Sequence, residues 1–416
     1  TIPYLKEQID CLKNINRFKM SILNHFLYYI KRISNSLELH RLDGTLKMQI
    51  RISLYLLSFG IIASTNSSSY KEELLTAEEQ HAIINDLSNT IKDITTEFDE
   101  KYREEERIKK ESEEQTKKLL KEIADIEKTP MGAYNIRSNG KGIERNTTAN
   151  IDIVTKTDKP GIDIIIKPNT KNESVHIPVV LTQAGLTDVV YNDFYIGKNA
   201  DVTIVAGCGI HNSSCATSEH DGIHSFYLEE NAKVKYIEKH YGEGEGTGKR
   251  ILNPQTIVNL KNGAVLEMET IQIKGVDSTV RKTSGVLDGN SSLIITERIM
   301  THDNQTAKTV FNVELNGKGS STTVTSRSIA KDNSSQEFIS NIIGNNECFG
   351  HVECDAIIMD KGKVISTPQI TANNIDSNLT HEAAIGKIAG EQLIKLMTLG
   401  LTKEEAEEHI INGFLQ

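Results

Sequence analysis

The segment Gly197-Lys-Asn-Ala-Asp-Val-Thr-Ile204 places turn residues before a small residue and then alternates apolar with polar side chains. The pattern returns, the last time loosely, in Glu230–Tyr236, Lys261–Leu266, Asp288–Ile295 and Asn316–Val324. Spacings of 32, 31 and 28 residues separate its asparagines Asn199, Asn231, Asn262 and Asn290. A nearly fixed period of this size indicates stacked units, each too small to bury its own apolar face.

The region around these repeats has the composition of β-strands. Residues 150–372 are rich in Val, Ile and Thr, interrupted by Gly, Asn and Asp. Because no helical pattern separates the repeats, we predict a mainly β fold, a right-handed parallel β-helix (solenoid) over residues 151–375. A β-sandwich is the alternative.

Helical patterns flank the predicted solenoid. Residues 1–115 read as an N-terminal helical extension of unknown role, and residues 116–150 as a lead-in helix and connection. The alternating charges of Glu104–Lys118 predict a long solvated helix. Residues 376–416 read as a C-terminal helical cap, because apolar residues fall at helical spacing from Ile385 to Met397. Gly400 is expected to end that helix, and a capping box at Thr402–Glu405 to begin the last one.

Composition excludes several classes of protein. The 416 residues carry a net charge of −10, which argues against binding nucleic acid through phosphate contacts. Five cysteines form no dense disulfide framework, so we expect reduced thiols in the cytoplasm. The apolar run Ile52–Ala63 is too short to cross a membrane. It is interpreted as a buried helix, or as a signal-peptide core if translation begins at Met48.

The glycine-rich segment Gly242–Arg250 is not a phosphate-binding loop of the Walker type. Glu243 stands where the first glycine belongs, and Arg250 stands where a Ser or Thr would hold magnesium. We interpret the segment as a mobile loop that does not bind ATP.

Cysteine and histidine concentrate in the solenoid and in the region after it. One group contains Cys208, His211, Cys215, His220 and His224, and a second contains Cys348, His351, Cys354, His381 and Glu382. Thiolate, imidazole and carboxylate together suit iron or zinc. The simpler interpretations stay open: each cysteine is a small core residue, His220 and His224 lie in a surface loop, and His381 is a buried, satisfied histidine.

Several segments resemble the SufB/SufD family, the scaffold subunits of SUF-type iron–sulfur cluster assembly. They are Ile136–Gly140, Lys167–Pro178, Val205–His211, His220–His224, Lys239–Gly244, Arg327–Asn333, Gly350–Asp355 and Thr380–Ile388. The resemblance spans about residues 116–416, is strongest to the short single scaffold of minimal SUF systems, and leaves residues 1–115 unplaced.

The resemblance implies a β-helix that forms a homodimer and is not itself an enzyme. It also implies a SufC-like ABC ATPase on the C-terminal helices, a sulfur donor, and acceptor proteins that receive a transient cluster of the 4Fe-4S type. Matching residue by residue assigns the metal-binding positions to Cys354, His381, Glu382 and Cys208, with Cys208 either a ligand or a carrier of sulfur. Larger relatives have a further cysteine before the His-Glu pair, where Asp360–Val364 offers none.

Two other functions remain as alternatives. A solenoid that acts on carbohydrates would need aromatic residues for sugar stacking, and this chain has no Trp and 5% aromatic residues. A purely structural solenoid would leave the concentration of His and Cys unexplained.

Overall fold

The computed structural model describes residues 77–124, 130 and 132–415. The part of the chain from Glu97 on forms one compact unit. The predictions for Ile52–Ala63 and for most of the N-terminal extension lie outside the described residues. No helix in the described part is long and apolar enough to cross a bilayer.

Three helices and twenty strands follow one another along this part of the chain. The helices are α1 Ala77–Ala124, α2 Gly390–Thr398 and α3 Lys403–Phe414. The strands are β1 Ala133–Ser138, β2 Lys141–Asn146, β3 Ile151–Thr155, β4 Gly161–Ile166, β5 Lys171–Leu181, β6 Thr187–Ile196, β7 Asp201–His211, β8 Ser218–Leu228, β9 Lys233–Glu243, β10 Arg250–Leu252, β11 Gln255–Leu260, β12 Val265–Lys274, β13 Ser278–Leu287, β14 Ser292–Thr301, β15 Thr306–Leu315, β16 Ser320–Ala330, β17 Ser335–Gly344, β18 Cys348–Ile358, β19 Lys363–Ala372 and β20 Ser377–Gly386.

The strands form two facing sheets. Sheet A has the order β2-β1-β5-β7-β9-β12-β14-β16-β18-β20, and sheet B the order β19-β17-β15-β13-β10-β8-β6-β4-β3, with β11 pairing β13 and β8. From β5 on, successive strands alternate between the sheets, except that β10 and β11 both lie in sheet B, and they pair in parallel with the coils before and after them. Antiparallel pairing occurs in the β1–β2 and β3–β4 hairpins. About 8 solenoid turns result, which confirms the predicted β-helix and contradicts the sandwich.

The repeated asparagines mark one corner of each coil. Asn199, Asn231 and Asn290 adopt left-handed backbone angles with φ of 59°, 57° and 52°. Asparagine tolerates this region better than most residues, which accounts for its recurrence there. The amide of Asn231 donates to Oδ1 of Asn199 at 3.4 Å, and that of Asn199 donates to Asn169 at 3.2 Å. The corners are therefore joined by a ladder of side-chain amides.

Helix α1 is solvated over most of its described side chains, as the charge pattern predicts, but its last two turns pack on sheet A. Leu119 and Ile123 are fully buried. They lie over Gly207 and Gly209 of β7, where an added Cβ would lie 2.6 Å from the Ile123 carbonyl oxygen and 3.1 Å from Leu119. Because these two residues have no Cβ, the helix can pack directly on the sheet.

The C-terminal region differs from the sequence prediction. Residues 377–386 form β20, and the first helix begins at Gly390, so the prediction that helix starts at residue 376 is wrong. Parallel pairing with β18 along the whole of β20 outweighs the helical spacing of its apolar residues. Gly400 follows α2 with φ of 101°, and the capping box of Thr402 and Glu405 is present.

The glycine-rich segment between β9 and β10 is packed on the preceding coil. The amide of Gly246 donates to Asn212 and that of Gly248 to Ser214. A Cβ at Gly246 or Gly248 would come within 2.3 Å of the neighbouring backbone. These glycines allow close approach between coils, so the interpretation of the segment as a mobile loop is wrong.

Candidate functional site

Cys208 lies on β7 and faces the interior between the sheets, where it is 6% exposed. His240 of β9 is the register neighbour of Cys208, and the charges of His220 on β8 and of His240 both act on its thiol. His220 Nδ1 in turn lies 3.2 Å from Oδ2 of Asp188 on β6. Arg137 of β1 completes the arrangement by donating to both oxygens of Asp188, at 2.6 and 3.0 Å. Cys208, His220 and Asp188 thus form a Cys–His–Asp series.

This arrangement favours the thiolate form of Cys208. Burial by itself raises the pKa of Cys208, but the charge of His220, helped by His240, outweighs burial and lowers the pKa to about 7. Burial likewise opposes the charged form of His220, and the neighbouring Cys208 and Asp188 raise its pKa to about 10. Thiolate and imidazolium stabilise each other, as in enzymes with a nucleophilic cysteine.

A second group of buried charges lies farther along the solenoid. Arg281 of β13 donates to Glu238 at 2.8 Å, and its Nε lies 3.4 Å from Glu297 of β14. Arg281 also lies 3.2 Å from Nδ1 of His240, which connects this group to Cys208. Burial raises the pKa of Glu238, yet His240 and Arg281 lower it well below its usual range. Two carboxylates and one guanidinium are therefore held in the interior, each with partners.

The polar contacts continue toward Cys354. Glu297 accepts hydrogen bonds from Thr309 at 3.0 Å and from Ser326 at 2.9 Å. Ser326 of β16 is the register neighbour of Cys354 on β18. We call this set the buried polar row; it consists of Cys208, His220, His240, Glu238, Arg281, Glu297, Ser326 and Cys354.

Cys354 differs from Cys208 in its electrostatic surroundings. It is 1% exposed, and burial raises the pKa of its thiol to about 11, with Glu297 adding to the effect and Ser366 opposing it. No imidazolium stabilises its thiolate. Cys354 is therefore a neutral thiol at neutral pH.

His381 shares the inner face of sheet A with Cys354. In the parallel register of β18 and β20, Val352 stands beside His381 and Cys354 beside Ala383. Both ring nitrogens of His381 are buried and lack a hydrogen-bond partner within the described structure. Burial and the nearby His351 lower the pKa of His381, so its ring is neutral and can donate a lone pair.

Glu382 lies on the other face of the sheet. It is exposed and stands in register with Glu353, whose side chain also faces outward. Because side chains alternate along a strand, one chain does not bring Glu382 and Cys354 to the same face. The structure thus places Cys354 and His381 on the same face of neighbouring strands, and Glu382 on the opposite face.

The structure also places the other cysteines of the solenoid and the two histidines of β8. Cys215 is exposed in the turn between β7 and β8. Cys348 is buried, with its sulfur 3.6 Å from the Ser377 hydroxyl. His220 and His224 lie in the interior of β8, so the interpretation of these two as surface residues is wrong. Burial lowers the pKa of His224 to about 4.

Sequence reasoning missed several members of the site: Asp188, Glu238, His240, Arg281 and Glu297. A signal for two of them was present in β9, where Val234 and Tyr236 set the inward face. The same alternation continues to Glu238 and His240, so both had to face the core. Charged residues at inward positions of a strand are rare unless they are paired, and this makes them candidates.

The comparisons with known proteins agree with one another. The family described as "SUF system FeS cluster assembly, SufBD core domain" matches residues 182–414, more than half of the chain. An iron–sulfur cluster assembly SufBD family protein of Methanothermobacter thermautotrophicus is 27% identical over 221 residues, 52% of this chain and 53% of the relative. One from Pyrococcus horikoshii is 28% identical over 285 residues, 67% of this chain and 86% of the relative.

The match to a named SUF component is shorter. The iron–sulfur cluster assembly protein SufB of Bacillus subtilis is 34% identical over 100 residues, 23% of this chain and 22% of the relative. The chain spans about half the length of the Methanothermobacter relatives it matches. With the β-solenoid and its buried cysteines and histidines, the match over 182–414 shows that this chain belongs to the SufBD family of iron–sulfur cluster assembly proteins.

Proposed function

We propose that this chain is a cytoplasmic scaffold, and not an enzyme, on which an iron–sulfur cluster is built and from which it passes to acceptor proteins. The observation that carries the proposal is a buried thiol, Cys354, on the same inward face as the unpartnered ring of His381, at the open end of a SufBD solenoid. The cluster is cargo, so a small and incomplete ligand set in each chain suits its release. Neither a carbohydrate-active solenoid nor a purely structural one gains support from the family assignment.

Cys354 and His381 supply the ligands from one chain in this proposal. A thiolate and a neutral imidazole both bind iron in proteins. Since the pKa of Cys354 is about 11, cluster loading releases a proton and becomes more favourable as pH rises. Glu382, on the outer face of the same end coil, is available as a labile carboxylate ligand toward a second chain. The cluster type proposed is 4Fe-4S.

Cys208 is proposed to receive the sulfur. Its thiolate attacks the outer sulfur of a persulfide on a donor protein, the S–S bond of the donor breaks, and the donor leaves as a thiolate. The sulfur then sits on Cys208 as a persulfide, with no net oxidation or reduction. The buried polar row supplies a path of polar groups from Cys208 toward Cys354, which supports a shared role for the two cysteines.

A homodimer through the end coil is supported by what that coil leaves uncovered. Strands β19 and β20 each pair on one side only, and such edges accept a strand from another chain. Ile365, Ile370 and Ile385 of these strands are 58%, 43% and 40% exposed. The C-terminal helices follow the coil without covering these residues. Two end coils meeting in this way would bring both Cys354–His381 pairs toward one interface.

A SufC-like ABC ATPase is proposed to dock on α2 and α3. Ile394 of α2 and Leu399 beyond it are 62% and 77% exposed, which offers an apolar contact surface. The helix pair is linked to the solenoid by Arg327, whose guanidinium donates to the Phe414 carbonyl oxygen at 3.5 Å. Force on the helices would therefore reach β16, next to the strand that carries Cys354.

The proposal is tested by anaerobic cluster assembly with the ATPase present, comparing the native chain with Glu382→Ala and with Glu353→Ala as the matched control. We expect Glu382→Ala to lower cluster yield or retention and Glu353→Ala to leave both unchanged. Size-exclusion chromatography with light scattering of Ile365→Lys tests the dimer, which this variant should dissociate. Normal yield and transfer in Glu382→Ala would remove Glu382 from the ligand set.

A further inference from the structure

A cavity of about 430 Å³ lies at the N-terminal end of the solenoid, bounded by β1, β2, the turn between β3 and β4, and the edges of β5 and β6. Its lining carries four cationic side chains, Arg137, Arg145, Lys156 and Lys159. No carboxylate residue is among the lining residues of this cavity. The Cys354–His381 end of the molecule is at the opposite end of both sheets.

Two of the four cations are neutralised by partners outside the cavity. Arg137 is held by Asp188, and Lys156 by both Asp163 and Asp193. These contacts fix the two side chains and neutralise their charge, so neither side chain needs an anionic ligand.

The other two cations have no such partner. Arg145 donates to uncharged oxygens, Asn135 Oδ1 at 2.9 Å and Thr155 Oγ1 at 2.8 Å. Lys159 Nζ lies 4.7 Å above the centre of the Tyr191 ring. Over the described residues, no carboxylate comes within ion-pair distance of either group. Two positive charges at one cavity attract an anion.

A buried acceptor adds a second, independent indication. Asn192 lines the same cavity and is 4% exposed. Its Nδ2 lies 3.3 Å from Nε2 of His224, but no group in the described structure donates to its Oδ1. Leaving a buried acceptor without a donor costs about 1–3 kcal/mol. An N–H or O–H group of a ligand would satisfy it.

The rest of the wall is apolar, and the volume exceeds that of a simple inorganic anion. Ile162, Ile177 and Val179 are buried and line the cavity. A volume of about 430 Å³ lies in the range of small-molecule sites. The apolar wall, the cationic rim and the single buried acceptor together favour an organic ligand with an acidic group.

We propose that this cavity binds a small organic acid. Arg145 and Lys159 hold its carboxylate or phosphate, Asn192 Oδ1 accepts a hydrogen bond from its N–H or O–H group, and Ile162, Ile177 and Val179 contact its apolar part. Binding is reversible and forms no covalent bond. The site goes beyond the proposed scaffold function and does not depend on it, because neither the cluster ligands nor Cys208 line the cavity.

Isothermal titration of the full chain tests this with two probes that carry the acid on an organic body. AMP is the organic phosphate and S-methylglutathione is the organic carboxylate. Inorganic phosphate is the probe that has no organic part. We expect at least one organic probe to bind with a Kd below about 1 mM and more tightly than inorganic phosphate. The double variant Arg145→Gln/Lys159→Gln should bind it about tenfold more weakly or worse.

The matched control is Lys171→Gln/Lys198→Gln, which removes two exposed lysines elsewhere on the solenoid and should bind the probes normally. Raising the salt concentration should weaken binding to the native chain, because two exposed cations hold the acid. The proposal is overturned if neither organic probe binds, if inorganic phosphate binds as tightly, or if the cavity variant binds as well as the native chain. Since Arg145 and Lys159 are exposed, these substitutions leave the core intact.

Discussion

Asp188 lies 3.2 Å from His220, and this contact determines the chemistry of Cys208, because the charge of the same imidazole lowers the pKa of the cysteine thiol. The carboxylate holds the imidazole in its charged form, and the charged imidazole in turn holds the thiol as a thiolate. The pKa of Cys208 is about 7 and that of His220 about 10, so the thiolate–imidazolium pair exists between these two pH values. Below about pH 7 the thiol regains its proton.

The first prediction concerns the reactivity of Cys208. Its reaction with a small thiol reagent, followed by mass spectrometry, should rise through pH 7 as the thiolate forms. In His220→Gln the stabilising cation is gone while burial remains, so the pKa rises and the rate at pH 7 should fall by about 50-fold. His211→Gln, which changes an outward residue of β7, the strand that carries Cys208, is the control. An unchanged pH profile in His220→Gln would contradict the assigned role of this histidine.

Stability should depend strongly on the interior guanidinium. Replacing Arg281 by Met leaves Glu238 and Glu297 buried without their cation, which should lower the free energy of unfolding by about 3–5 kcal/mol. Urea unfolding followed by circular dichroism measures this loss. Arg298→Met is the matched control, because Arg298 pairs with Glu269 on the partly exposed outer face and should contribute less than about 1 kcal/mol. Equal losses in the two variants would show that burial of the Arg281 pair has no special effect.

The repeat made the solenoid predictable, and the reason is visible at the corners. Each left-handed turn favours Asn, Asp or Gly, and each ladder bond needs an amide at the same place in the next coil. Because both requirements recur in every coil, they produce a periodic pattern in the sequence. The ladder reaches the corner before β20, where the amide of Asn373 donates to Oδ1 of Asn345 at 2.7 Å, but Ile385 and the later Leu393 fall by chance at helical spacing. Pairing with β18, which no local pattern records, decides its structure.

The candidate site was predictable only in part for a similar reason. The resemblance to a family identified Cys208, Cys354, His381 and Glu382, because those positions carry recognisable residues. Had β20 been predicted as a strand, the alternation of its side chains would have placed His381 and Glu382 on opposite faces. The prediction of a helix there prevented this inference. The pairing of Arg281 with Glu238 joins residues 43 positions apart on different sheets, and only the stacking of coils reveals it.

The asparagine ladder gives the next prediction. Asn231→Ala loses both the ladder hydrogen bond and the residue's tolerance of a left-handed φ, and should lower the free energy of unfolding by about 1–2 kcal/mol. Asn231→Gly keeps the backbone freedom and should lose less. Thermal and urea unfolding of the two variants, measured side by side, separate the contributions. The ladder account fails if Asn231→Ala is as stable as the native chain.

Docking of α1 on sheet A depends on a glycine next to Cys208. In Gly207→Ala the new methyl group would meet the Ile123 backbone at 2.6 Å, so the last turns of α1 should detach. Hydrogen exchange of the amides of residues 119–124 should become faster in this variant. Gly142→Ala is the control, since an added Cβ there meets no atom within 4 Å. Unchanged exchange in Gly207→Ala would show that the helix accommodates the methyl group.

The most direct test of the scaffold account is anaerobic reconstitution with iron and sulfide, measuring bound iron, bound sulfide and visible absorption. The native chain should bind both stoichiometrically. Cys354→Ala should lose the bound cluster, whereas Cys348→Ala, which removes another buried thiol of the same strand, should retain it. Retention of a full cluster by Cys354→Ala would contradict the assignment of this ligand. Failure of the native chain to bind iron and sulfide, even with the ATPase present, would contradict the scaffold function itself.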